Sequence, residues 1–341
     1  MPVRTCATVI ALAVALGGCS RTDAPERAPA RAPAAAAATG SVVRLDPALD
    51  AIVPANAAVE KVAGGFQFTE GPLWRPSEGR LWFSDVVGNV LRAVTPAGQV
   101  EVLIEHAAGH STAPAGSYIG PNGLLAEDGG TVLMAQHFNR QIVRIAPDRQ
   151  TTVVVDRFDG KRLNSPNDLA FGPDGALYFT DPPFGLVEQD KDPAKELDFN
   201  GVYRFANGQV TALVRDLGRP NGIGFSPDLR TMYVSNTEAT RKVVMAYDVA
   251  ADGSVANGRV FADGTADTAP GMPDGLKVDR QGHVYATMPG GVWVVAPDGR
   301  HLGTIRAPEA AANCGWGDDG RTLYITAETG VYRIRLNAAG F

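Results

Sequence analysis

Asn167-Asp168-Leu169-Ala170-Phe171-Gly172-Pro173-Asp174-Gly175-Ala176-Leu177-Tyr178-Phe179-Thr180 reads as two short apolar strands joined by a tight turn. Asp-Gly between apolar runs is the strongest local signal for a hairpin. The same skeleton returns at Asn221-Gly222-Ile223-Gly224-Phe225, Ser226-Pro227-Asp228 and Met232-Tyr233-Val234-Ser235. Six segments share it: 68–85, 119–137, 164–183, 218–237, 271–291 and 311–334. Each carries near its start an anchor with a side-chain oxygen, its opening residue: Glu70, Asn122, Asn167, Asn221, Asp274 and Asn313, spaced 52, 45, 54, 53 and 39 residues apart.

A period near 49 residues suits a four-stranded propeller blade. Six such units need about 290 residues, and residues 50–341 supply 292. The expected fold is all-β: a six-bladed β-propeller over residues 46–341 with no second domain. A strand near Val59–Gly64 should close the ring against Val331–Leu336. The 39 glycines and 24 prolines favour turns over long helices. A closed ring leaves no sheet edge inviting association, so a monomer is expected.

Equivalent positions in a propeller sit at one depth around the axis, so the six opening residues should converge at one mouth. Two carboxylates and four amides facing an axis call for a cation between them. With no Cys or His in the set, a structural zinc site is excluded and a hard ion is favoured, Ca²⁺ first. Mg²⁺, Mn²⁺ and Zn²⁺ are the other candidates for that single divalent ion. Open coordination positions would hold water or substrate.

The ends and the composition narrow the setting. Arg4, the apolar run from Ala7 to Leu16 and then Leu16-Gly17-Gly18-Cys19 resemble a bacterial lipoprotein signal over residues 1–18, with lipidation at Cys19. Residues 19–45 are rich in Ala, Pro and Arg and are expected as a disordered linker. The expected location is the periplasmic side of the cell envelope, lipid-anchored, with the non-acidic Ser20 favouring the outer membrane. A net charge of -6 argues against nucleic-acid binding. Cys314 alone remains after processing and is expected as a small buried residue. No Gly-x-Ser-x-Gly elbow supports a serine hydrolase.

Phe68-Thr69-Glu70-Gly71-Pro72-Leu73-Trp74, Lys161-Arg162-Leu163-Asn164-Ser165-Pro166-Asn167-Asp168 and Phe179-Thr180-Asp181-Pro182-Pro183-Phe184-Gly185 resemble the gluconolactonase and senescence-marker-protein (regucalcin) family. Pro220-Asn221-Gly222, Pro273-Asp274-Gly275 and Gln136-His137 extend the resemblance over residues 60–335. It implies a divalent metal held by Glu70, Asn221 and Asp274, with Asn167 as a further ligand or close neighbour. It also implies hydrolysis of a sugar lactone, a small-molecule substrate. The cation would polarise the ester carbonyl for attack by water, with Asp274 as general base. His137 is a candidate proton shuttle or substrate contact. Asn122, Asn164 and Arg162 are candidates to bind substrate hydroxyls. Asp168 is expected to be structural and to point away from the axis. The segment from His106 to Tyr118 departs from the family pattern and is expected to form part of the mouth. A binding propeller without catalysis, and hydrolysis of an organophosphate or another lactone, are the rival readings.

Overall fold

The computed structural model describes residues 40–340. The signal sequence, Cys19 and the linker up to residue 39 lie outside the described residues. Six antiparallel sheets, five of four strands and one of five, follow in chain order, with a two-stranded ribbon at residues 157–162 besides. Their innermost strands are Thr69–Arg75, Pro121–Ala126, Leu169–Phe171, Pro220–Phe225, Leu276–Val278 and Ala311–Gly317, and each packs beside the next around the axis. The fold is the expected six-bladed β-propeller, referred to below by blades 1 to 6 in that order. Among the described residues no helix is long and apolar enough to cross a membrane.

Each blade is covered on both faces by its neighbours, so its middle strands read as continuous apolar runs and not as strict alternation. Leu81, Trp82 and Phe83 are all buried, as are Leu177, Tyr178 and Phe179. Phe179 stacks on Tyr203 within the core between blades 2 and 3, while Tyr178 packs edge-on to Phe225 between blades 3 and 4.

The ring closes as expected. Glu60–Gly64 is the outer strand of blade 6 and pairs antiparallel with Gly330–Arg335. Residues 41–44, placed with the linker by their neighbourhood, instead form the strand Ser41–Arg44 and add a fifth strand to blade 5 against His301–Arg306. A short helix, Leu49–Ile52, then drops Leu49, Ile52 and Val53 into the core shared with Tyr285, Val292, Leu323 and Ile334. This segment ties blade 5 to blade 6 beside the closure. Leu49 is wholly buried. Leu49→Ala should therefore lower unfolding free energy by about 3 kcal/mol, the cost of an unfilled aliphatic cavity, read as a lower urea midpoint.

Candidate functional site

Local geometry aims the opening residues inward. In blades 1, 2, 4 and 6 the inner strand breaks register with its partner at Glu70/Leu73, Pro121/Leu124, Pro220/Ile223 and Ala311/Asn313. Such bulges turn a residue out of the ladder. In blades 3 and 5 the ladder begins only after Asn167 and Asp274. Gly71 makes the first bulge feasible. Its φ is +54°, and a Cβ there would lie 2.2 Å from the Asn122 carbonyl oxygen.

A cavity of about 410 Å³ opens at this end of the axis, lined at its floor by Glu70, Asn122, His137, Asn167, Asn221 and Asp274. Five of the six opening residues thus meet. The sixth, Asn313, does not line the cavity. Its Nδ2 donates to Glu70 Oε2 at 2.8 Å, so it holds a neighbour in place. Gly71 N–H donates to the same oxygen at 2.7 Å. Among the described residues neither Glu70 Oε1 nor Asn122 Oδ1 has a hydrogen-bond partner, and both are buried. Burial pushes the Glu70 carboxyl up to about 7. Burial and the Glu70 charge push Asp274 upward as well, against a hydrogen bond from Asn221.

His137 is buried in a fixed tautomer. Its Nδ1 lies 2.9 Å from the Tyr118 carbonyl oxygen, which can only accept, so Nδ1 carries the proton. Burial lowers its pKa to about 4, keeping the ring neutral. Nε2 must then accept from Asn122 Nδ2, 3.0 Å away. This pairing turns the unpartnered Asn122 Oδ1 into the open side of the residue. Both ring nitrogens are engaged in this arrangement, so His137 orients Asn122 while lining the cavity.

Two other expectations are corrected. Arg162 Nη2 donates to the Asn139 carbonyl at 2.7 Å, and the residue does not line the cavity. Asn164 is fully buried, with Nδ2 within reach of the Asp181 and Phe199 carbonyls and of Asn200 Oδ1. Asn164 uses its amide donors within the long loop of blade 3, and Arg162 ties that loop to the Asn139 carbonyl away from the cavity. The Asp168 carboxylate is not turned away from the axis as expected. It pairs with Lys277 from blade 5 at 3.5 Å. Of the remaining histidines, His106 and His110 are exposed. His283 instead binds Asp279 at 2.8 Å and His301 stacks on Trp293. Cys314 is buried, and burial pushes its thiol up to about 12, which makes it inert.

The structure adds parts the repeat comparison missed. Hydroxyls on second strands reach across to the next blade's inner strand. Ser84 Oγ donates to Asn122 O at 2.6 Å, Thr180 Oγ1 to Asn221 O at 2.6 Å and Thr287 Oγ1 to Ala312 O at 3.0 Å, and Ser235 Oγ donates to Asp274 O. Each lock fixes the backbone of a floor residue or, in blade 6, of its neighbour. The signal was visible: Ser or Thr recurs at one strand position in five repeats, and only blade 2 has Ala135 there. The rim is more apolar, with Phe68, Tyr118, Phe184 and Met272, and carries Gln189 and Glu328. Tyr118 brings the segment after His106 to the mouth, as expected.

The donor chemistry fits a hard divalent cation. Two carboxylates of raised proton affinity face each other in a buried floor beside amide oxygens, and two oxygens lack partners. Among the described residues no group of three or more His, Cys, Asp or Glu side chains is placed to hold a metal ion, so an ion here would rest on two carboxylates and amide oxygens. A surface cleft of similar volume lies between the outer parts of blades 2 and 3, but its Arg144, Glu127, Arg204 and Asp174 are already ion-paired.

Comparison with known proteins identifies the family and the fold. Residues 68–329 match the family model for the SMP-30/Gluconolactonase/LRE-like region. A gluconolactonase of Zymomonas mobilis is 36% identical over 315 residues, covering 88% of this chain and 87% of its own. A pentonolactonase of Haloferax volcanii is 27% identical, covering 76% and 81%. Among solved structures, a gluconolactonase of Xanthomonas campestris superposes with a TM-score of 0.77 at 32% identity, over 89% of this chain and 97% of that one. A calcium-binding regucalcin of Agrobacterium tumefaciens shares the fold, with a TM-score of 0.61 at 19% identity.

Proposed function

The chain belongs to the SMP-30/gluconolactonase/LRE-like family, and from that premise we propose that it opens the ring of a sugar lactone at a divalent cation held by Glu70, Asn167, Asn221 and Asp274. The observation that carries the cation is the buried Glu70 Oε1, unpartnered among the described residues, beside the second buried carboxyl of Asp274. A bound divalent ion supplies Lewis acidity at the lactone carbonyl, and Ca²⁺ suits the all-oxygen donors best.

The chain's own groups do the rest. Asp274 borders the cavity and takes the proton of the attacking water on its carboxylate. Asn122 Oδ1, aimed by His137, accepts a hydrogen bond from a substrate hydroxyl. Asn313 and Gly71 hold Glu70 at Oε2, leaving Oε1 toward the cavity. The apolar rim of Phe68, Tyr118, Phe184 and Met272 limits water around the reacting ester.

The test is hydrolysis of glucono-δ-lactone, pentonolactones and simple aliphatic lactones by the Ca²⁺-loaded protein, read as proton release. Turnover of a lactone above the spontaneous rate supports the reading. A loaded protein that opens none of them overturns it, and organophosphates then become the substrates to try.

The sequence Leu16-Gly17-Gly18-Cys19 supports a further part of the reading: lipidation at Cys19 anchors the propeller on the periplasmic side of the envelope. Labelled palmitate should enter the protein in a bacterial host and be lost in Cys19→Ser, with the variant moving to the soluble fraction. Equal labelling of the two removes the anchor.

A further inference from the structure

The residue after each opening position forms a second layer around the axis: Gly71, Gly123, Asp168, Gly222, Gly275 and Cys314. Four of the six have no side chain, and the buried thiol carries no charge. Asp168 is the one carboxylate of this layer. Its Oδ1 accepts from Leu169 N–H at 2.9 Å, and its Oδ2 faces Ile223 N–H of blade 4 at 3.4 Å. A Cβ on Gly123 of blade 2 would stand 3.0 Å from Oδ1. Inner strands of three blades therefore crowd this carboxylate. A fourth supplies Lys277, whose Nζ is 3.5 Å from Oδ2 and donates to the Leu276 carbonyl at 2.8 Å.

Lys277 is out of step with its repeat. Three residues past the opening position, the other blades carry Leu73, Leu125, Ala170, Gly224 and Trp316. A lysine there has no packing role that the others share, and its partner is the only charged side chain of the layer above. The axis thus holds three carboxylates, Glu70, Asp274 and Asp168, and one ammonium. That leaves two net negative charges, which one divalent ion balances. Without the ammonium, Asp168 Oδ2 and the Leu276 carbonyl would lose their charged partner, leaving oxygens of the ligand type of hard cations.

We propose that Lys277 is a tethered cation occupying the second layer of the channel, so that the protein takes one divalent ion, at the cavity floor, and not two. This rests on the cation reading of the cavity, but its test counts ions and needs no turnover. Ca²⁺ bound per chain is measured by equilibrium dialysis for the parent, Lys277→Met, Lys277→Arg and the double variant Asp168→Asn/Lys277→Met. The expected counts are one, two, one and one. Equal counts for the parent and Lys277→Met overturn the proposal. A parent that binds no Ca²⁺ overturns the cavity reading separately, and the difference between parent and Lys277→Met still decides the role of Lys277. Should Lys277→Met unfold in chelator, added Ca²⁺ is expected to restore it, while the double variant folds without Ca²⁺. A double variant that depends on Ca²⁺ as strongly as Lys277→Met also overturns the proposal.

Discussion

Asp274→Asn should reduce kcat/KM for the best lactone by about 10³-fold or more. The substitution keeps the shape of the side chain and removes one of the two carboxylates at the cavity floor. General-base loss alone is worth about 10²–10⁴-fold, and weaker cation binding adds to it. The two contributions separate with metal concentration: raising Ca²⁺ restores the part due to occupancy and leaves the part due to proton transfer. Fold should survive, because Asp274 borders a cavity and its backbone stays locked by Ser235 Oγ. An Asp274→Asn protein with parental kcat/KM would remove this residue from the chemistry.

The metal-free protein should lose stability as pH rises from about 5 to 8, and Ca²⁺ should rescue it most at the alkaline end. Glu70 has a folded-state pKa raised from 4.5 to about 7, so between those values the folded chain holds more protons than the unfolded chain. Stability is then fully present below the unfolded pKa and falls as pH rises through the folded one. For Glu70 alone the loss reaches about 3 kcal/mol, from 1.36 kcal/mol per pKa unit. Asp274 shifts in the same direction and adds to the loss. A divalent ion reverses the sign, because it binds the ionised carboxylates and stabilises by mass action, by about 2.7 kcal/mol at 100-fold over Kd. Urea midpoints with chelator and with Ca²⁺ across this range provide the check. Parallel curves would mean that the carboxyl pair is not the cation site. Glu70→Gln should flatten the chelator curve, since an amide does not titrate.

The ring of blades was legible because each repeat carries its own hairpin and its own opening residue. Chain order then fixes six copies around an axis, and Glu70, Asn122, Asn167, Asn221 and Asp274 do meet there. Asn313 belongs to the same column in sequence, yet its amide is used on Glu70. Spacing cannot tell a residue that faces the cavity from one that supports it, because the difference lies in one side-chain rotation. Arg162 and Asn164 show the opposite error. They sit in a motif that resembles the family's, but their hydrogen bonds hold the blade-3 loop. The strand Ser41–Arg44 was hidden by the low-complexity stretch before it, and only its partner His301–Arg306, far along the chain, reveals it. The interblade hydroxyls were in plain view at Ser84, Thr180, Ser235 and Thr287. Their meaning needed the acceptor carbonyl on the next blade.

The central claim, a cation-dependent lactone hydrolase at the mouth of the propeller, meets its most direct test in one titration. The purified protein is stripped with chelator, and glucono-δ-lactone hydrolysis is followed by proton release while Ca²⁺, Mg²⁺, Mn²⁺ or Zn²⁺ is returned separately, with bound ion counted in the same samples. The account predicts that hydrolysis is lost on stripping and returns in proportion to one ion bound per chain. Full hydrolysis by the stripped protein, or an ion bound at that ratio with no lactone opened, would contradict it.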